Sequence, residues 1–125
     1  MKTRKCVIGL IGVVFLLLNA PMIRANESSV EIQAPNQAVQ GSEVVITLRV
    51  SHSANNFLHY TDWVSVKVNG EEIARWEYSP MNRPEDEAFT REVKVTVDKD
   101  LEVEAQASCN IHGSAGISKR IIFVK

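Results

Sequence analysis

From residue 44 onward, apolar and polar side chains alternate one by one. Val44, Ile46, Leu48 and Val50 stand between Val45, Thr47 and Arg49, the period of a strand with one buried face. Val64, Val66 and Val68 repeat the pattern. Asn69-Gly70 follows them, a dipeptide suited to a type I′ hairpin turn, and the chain returns over Glu72 to Tyr78. Phe89, Arg91, Val93, Val95 and Val97 mark one face of a further strand, and Asp98-Lys99-Asp100 turns it. Leu101, Val103, Ala105 and Ala107 alternate with Glu102, Glu104 and Gln106, and Ile117 to Val124 closes the chain. Ahead of these lie a short strand, Val30-Glu31-Ile32, and a turn region from Pro35 to Gly41. Ser79 to Asp86, with Pro80 and Pro84, reads as a loop. No segment has a sustained helical period. Seven or so short strands over roughly 100 residues predict an all-β fold, an immunoglobulin-like antiparallel β-sandwich. Trp63 and Trp76 read as packing residues of its core, and Lys99, Glu102 and Glu104 as solvated surface.

The first 25 residues follow a different pattern. Lys2, Arg4 and Lys5 precede an unbroken apolar run from Cys6 to Leu18. That run is shorter than the roughly 20 apolar residues a membrane span needs. Ile23-Arg24-Ala25 resembles an A-x-A-type cleavage site. A cut after Ala20 fits less well, because Pro21 would follow it. Residues 1–25 are therefore expected to be a signal peptide and 26–125 the functional domain, exported to the periplasm or secreted, with no stable membrane insertion after cleavage. No cysteine follows the apolar run directly, which argues against a lipoprotein.

Cleavage changes the charge. Four basic residues and no acidic one leave, so 10 basic residues face 15 acidic ones, a net of −5. Nucleic acid is an unsuitable partner for such a chain, since binding it needs a basic face. Of the two cysteines, Cys6 leaves with the signal and Cys109 stays. A single cysteine cannot form an internal disulfide. It is a free thiol, an intermolecular bridge or a metal ligand, and a homo-oligomer stays open.

Cys109 stands three residues before His112 in Cys109-Asn110-Ile111-His112-Gly113, and the only other histidines are His52 and His59. Taken singly, His52 could be a loop histidine, His59 a packing residue beside Tyr60 and Trp63, and Cys109 a small buried hydrophobe. The predicted topology joins them. His52 ends the second strand, His59 starts the third, and Cys109 and His112 follow the sixth. In a sandwich of this kind those loops lie at one end, as does Asn26 to Ser29, where an antiparallel first strand begins. One thiolate and three imidazoles form a plausible shell for one transition metal, iron, copper or zinc rather than magnesium or calcium.

These residues carry a resemblance. Cys109-Asn110-Ile111-His112-Gly113 after a strand resembles the ligand motif of superoxide reductases, the desulfoferrodoxin and neelaredoxin group. His52…His59-Tyr60-Thr61-Asp62-Trp63-Val64 is similar to their histidine and histidine-tyrosine segment. The resemblance spans most of Val30 to Gly113. It implies an immunoglobulin-like sandwich with one mononuclear non-haem iron (Fe2+/Fe3+), held by equatorial histidines and an axial cysteine thiolate. It implies that superoxide is reduced to hydrogen peroxide, with electrons from an unidentified donor. On this reading His52, His59, Cys109 and His112 are metal ligands, and Glu27 matches the glutamate of the family's Glu-Lys-His motif as a catalytic residue. This chain departs from the pattern in two ways. His52 and His59 are one residue further apart than the family's pair. Ser28 and Ser29 stand where the family has its lysine and a fourth histidine, and Glu27 or water is left to fill that position. Two other readings compete: an electron-transfer protein with a cupredoxin-like copper site, for which Met81 is the only methionine of the mature chain, and a non-catalytic interaction module with zinc or no metal.

Overall fold

The computed structural model describes residues 26–125; the expected signal peptide, residues 1–25, lies outside the described residues. Eight strands follow in order: β1 (Ser29–Gln33), β2 (Gln37–Ala38), β3 (Glu43–Ser51), β4 (Thr61–Val68), β5 (Glu71–Glu77), β6 (Ala88–Thr96), β7 (Leu101–Cys109) and β8 (Ser118–Val124). They form two sheets, one ordered β1-β3-β6 and the other β2-β8-β7-β4-β5. The alternating stripes explain the sandwich. Ile46, Leu48 and Val50 of β3, Val64 and Val66 of β4, Val103 of β7 and Ile122 of β8 are all fully buried between the sheets. Each such side chain contributes about 1.5–3 kcal/mol by leaving water.

The expected elements are present, with two corrections. The turn region Pro35 to Gly41 contains β2, which pairs with β8 in parallel while all other pairings are antiparallel. Two residues are too few to show a period, so the strand exists only through its partner. Trp63, expected in the core, lies on the outer face of β4 under the guanidinium of Arg75, 4.5 Å from ring centre to Cζ. Val64, Val66 and Val68 take the inward positions, so Trp63 must point the other way. Trp76, opposite Val64, does pack against the core. Asn69 (φ 51°) and Gly70 (φ 84°) make the β4–β5 turn with both residues left-handed, as a type I′ turn requires.

Candidate metal centre

Four inward-facing stripes run to one end of the sandwich and change character there. In β3 the stripe Val44, Ile46, Leu48, Val50 continues to His52, just past the strand end and buried. In β7 it runs Leu101, Val103, Ala105, Ala107 and ends on buried Cys109. In β1 the positions Ile32 and Val30 lead back to Ser28, and β4 reaches Thr61 after a register shift between Thr61 and Trp63. Ser28 and Thr61 are 0% and 1% exposed, and their hydroxyl oxygens lie 2.9 Å apart. Period-two alternation thus carries a histidine from one sheet, a cysteine from the other and Ser28 to the same end, where the irregularity in β4 turns Thr61 to meet it.

Two loops bring the remaining histidines in. Between β3 and β4, Asn56 folds the chain back: its Oδ1 accepts from the N–H of Leu58 and of His59, both at 3.0 Å, and its own N–H donates to the His59 carbonyl at 2.9 Å. Asparagine is suited to such a local turn. The turn returns His59 onto His52, ring centres 4.6 Å apart and planes perpendicular, so the longer spacing is absorbed within the loop. After β7 a tight reversal pairs the Cys109 N–H with the Gly113 carbonyl (2.8 Å) and the Gly113 N–H with the Cys109 carbonyl (3.1 Å). Gly113 has φ 75°, a conformation that costs other residues about 1–2 kcal/mol. Within this reversal the N–H groups of Ile111 and His112 both point at Cys109 Sγ, at 3.4 Å. Asn110 joins the two loops: its Oδ1 accepts from the Tyr60 N–H at 3.0 Å, and its Nδ2 donates to the Leu58 carbonyl at 3.1 Å.

The donor atoms converge. His52 Nε2 is 3.2 Å from His59 Nε2, which is 3.1 Å from His112 Nδ1, and Nδ1 is 3.8 Å from Cys109 Sγ. Donor atoms of His52, His59 and Cys109 all lie within 4.8 Å of one another; His112 falls outside that group and borders it through His59 and Cys109. Burial pushes the His52 imidazole below its ordinary value; the Asn26 carbonyl, 3.3 Å from Nε2, opposes this, and His59 and His112 add to the lowering. Neutral imidazole is the form that binds metal.

Whether these residues fit a metal can be judged from their own geometry. A ring nitrogen carries one in-plane proton or one lone pair. His59 Nε2 therefore cannot pair in line with both of its neighbours, and a cation shared with either of them would satisfy it. Two donors each about 2.1 Å from one ion stand about 3.0 Å apart at a right angle and about 3.4 Å apart at the tetrahedral angle. Both nitrogen separations fall between those values. With sulfur as the fourth donor, the set suits a transition ion.

The structure also places the other residues that the sequence singled out. Ser28, set against the family's lysine, does not face solvent but is sealed against Thr61. A lysine could not occupy it without burying an ammonium group. Ser29, set against the fourth histidine, is exposed and donates to the Ser51 carbonyl at 3.4 Å. Glu27 is half-buried on the segment that reaches the site through Asn26, but its carboxylate is not in the group within 4.8 Å. Met81 is 87% exposed in the turn between Ser79 and Asn82. The roles of Asn26, Asn56, Thr61 and Asn110 were not anticipated. The inward register of Ser28 with Val30 and Ile32 was the one signal that could have marked a position of the site; Thr61 is turned inward only by the register shift in β4.

Fold and site together describe an immunoglobulin-like β-sandwich that gathers three histidines and a cysteine at one end. The sequence matches the desulfoferrodoxin family over residues 21–115, and the chain belongs to that family, whose members bind iron. Among solved structures, a variant of the superoxide reductase (neelaredoxin) of Ignicoccus hospitalis is similar with a TM-score of 0.70 at 17% identity, covering 85% of this chain and 87% of that one. The unmodified Ignicoccus hospitalis protein gives 0.65 at 18% identity, with 86% and 89% covered. A CARDB domain from Pyrococcus furiosus in complex with di-metal ions gives 0.62 at 15% identity, with 82% and 90% covered. At these identities the likeness concerns the fold. Among curated proteins, none matches the chain in sequence.

Proposed function

We propose that this chain is an exported iron protein that reduces superoxide to hydrogen peroxide. In that reaction one superoxide takes one electron and two protons, and a separate donor returns the electron. The observation that carries the proposal is the cluster of His52, His59 and Cys109 donor atoms within 4.8 Å, with His112 against both His59 and Cys109, in a chain of a family that binds iron. The metal, when bound, supplies the electron and a positive centre that attracts the anion.

The residues divide the remaining work. His52 and Cys109 are buried and hold the inner side of the shell. His112 is exposed and His59 half-buried, so the open side lies towards them. Cys109 Sγ faces inward and receives two backbone N–H groups, which fix its orientation. Asn110 holds the two ligand loops at a set distance, which keeps the nitrogens preorganised. Glu27, half-buried one residue after Asn26, is assigned the catalytic role that its match to the family's glutamate implies. Without the family's fourth histidine and its lysine, the reaction is expected to be slower than in a member that has both. The acidic net charge of the mature chain adds to the effect, because it steers an anion poorly.

Cys109→Ser tests the assignment. Loss of iron and of the thiolate-to-iron absorption is expected, together with loss of the reaction of ferrous protein with superoxide in pulse radiolysis. Unchanged iron content and absorption would refute the ligand set. Bound ferrous iron that never reacts with superoxide in the wild type would point to an electron-transfer or interaction protein instead.

A further inference from the structure

We propose that the α-amino nitrogen of Asn26, created when the export segment is removed after Ala25, is a further metal donor of this site, so that processing completes the ligand set. The inference rests on the proposed function and on cleavage at that bond. Its starting point is the Asn26 carbonyl oxygen, 3.3 Å from His52 Nε2, the same nitrogen that lies 3.2 Å from His59 Nε2. Asn26 thus already presents a backbone atom to the donor cluster. In any residue the backbone N and O lie about 2.7 to 3.6 Å apart, depending on rotation about one bond. With that bond turned so that nitrogen and oxygen lie on the same side, the two are about 2.7 Å apart and can bind one ion together. The amine and carbonyl of one residue close a five-membered ring on a single ion.

The position is held from below. Ser28, two residues on, is fully buried against Thr61; its N–H donates to the Gly113 carbonyl at 3.4 Å, and its carbonyl accepts from Ala115 at 2.9 Å. Gly113 directly follows His112, so these bonds tie the N-terminal segment to the ligand loop itself.

The chemistry of the atom changes on cleavage. Before it, the Asn26 nitrogen belongs to a peptide bond, and its lone pair is delocalised into the carbonyl. Afterwards it is a primary amine, a neutral nitrogen donor once the metal displaces its proton. It would supply the nitrogen that the serine at the family's histidine position cannot. The uncleaved chain would then be a poor metal acceptor, and the metal would be captured only after export.

The test compares four proteins loaded with Co(II) and with Fe(II): the processed chain starting at Asn26, the same chain acetylated at that terminus, a chain with Ala25 retained before Asn26, and processed Asn26→Ala. Acetylation and the extra residue are expected to lower metal affinity by about tenfold or more, at least the effect of losing an outer-sphere partner. They should also shift the Co(II) ligand-field bands while the thiolate-to-metal band of Cys109 persists. Asn26→Ala keeps amine and carbonyl and should match the processed chain. Equal affinities and identical ligand-field spectra, with the thiolate band intact, would overturn this inference and leave the proposed function standing. Absence of a thiolate-to-metal band in all four would sink both. Mass spectrometry of the exported protein showing another N-terminal residue would also overturn the inference.

Discussion

The hydroxyl pair beneath the metal centre gives a quantitative test of how the site is built. Ser28 Oγ and Thr61 Oγ1 are 2.9 Å apart and sealed from water. Thr61→Val keeps the shape of the side chain but removes one partner. Ser28 is then left with a buried hydroxyl deprived of that bond, at a cost of about 1–3 kcal/mol. For a domain of this size, 1 kcal/mol lowers the melting temperature by about 4–8 °C, so a fall of roughly 5–20 °C is expected. Ser28→Ala orphans Thr61 in the same way. The double variant Ser28→Ala/Thr61→Val removes both hydroxyls and leaves nothing unpaired, so it should be more stable than the sum of the single losses implies, by about 1 kcal/mol or more. Urea denaturation of the four metal-free proteins measures the coupling directly. Strictly additive losses would refute the reasoning, because the two hydroxyls would then not be satisfying each other.

Two further expectations follow from the same geometry. Asn110→Ala removes the bonds to Tyr60 and Leu58 that join the ligand loops, and should reduce metal affinity about tenfold or more with little change in fold, measured by competition with a chelator; unchanged affinity would show that the loops are positioned by other contacts. Glu85 is held at about 2 by its two-pronged bond to Arg91. Because the folded value lies below the unfolded one of 4.5, its contribution is present above about 4.5 and lost as pH falls towards 2. Glu85 is exposed and Arg91 half-buried, so screening limits the contribution to roughly 0.5–1 kcal/mol. Glu85→Gln should flatten that part of the stability profile in acid titration, and an identical slope would refute it.

The strands were legible because each one buries a single face, and a period of two then shows directly in the residue types. The end of the sandwich that carries the ligands was legible for the same reason: strand ends and connections fix which loops are neighbours. Other features were not legible. β2 has no pattern of its own and is defined by β8. Trp63 looks like a core residue by composition, but the valines beside it take the inward positions. The approach of His59 to His52 depends on the turn made by Asn56, and the joining of the loops on Asn110; hydrogen bonds of this kind leave no periodic trace. The burial of Ser28 was readable from its register with Val30 and Ile32. The comparison with the family's lysine gave no direction there, because a motif match carries residue identity but not the orientation of a side chain.

The ligand set has a consequence for stability as well as for chemistry. His52 belongs to the end of the three-stranded sheet and Cys109 to the end of the five-stranded one. Ser28 joins the sheets at this end through Thr61, Gly113 and Ala115, and the buried groups there are polar: His52, Ser28 and Thr61. A hydrophobic stripe cannot close such an end without placing apolar side chains at its mouth. Polar residues in the inward register solve that problem only if something satisfies them. Ser28 and Thr61 satisfy each other. The three imidazole nitrogens cannot, because His59 Nε2 faces two neighbours with one lone pair or proton. A metal ion held by His52 and Cys109 would resolve that mismatch and tie one sheet to the other, so metal binding and closure of the sandwich would draw on the same contacts. Metal bound only by the folded chain then stabilises the fold by mass action, and the stabilisation is concentrated at the end where the packing of the core gives out.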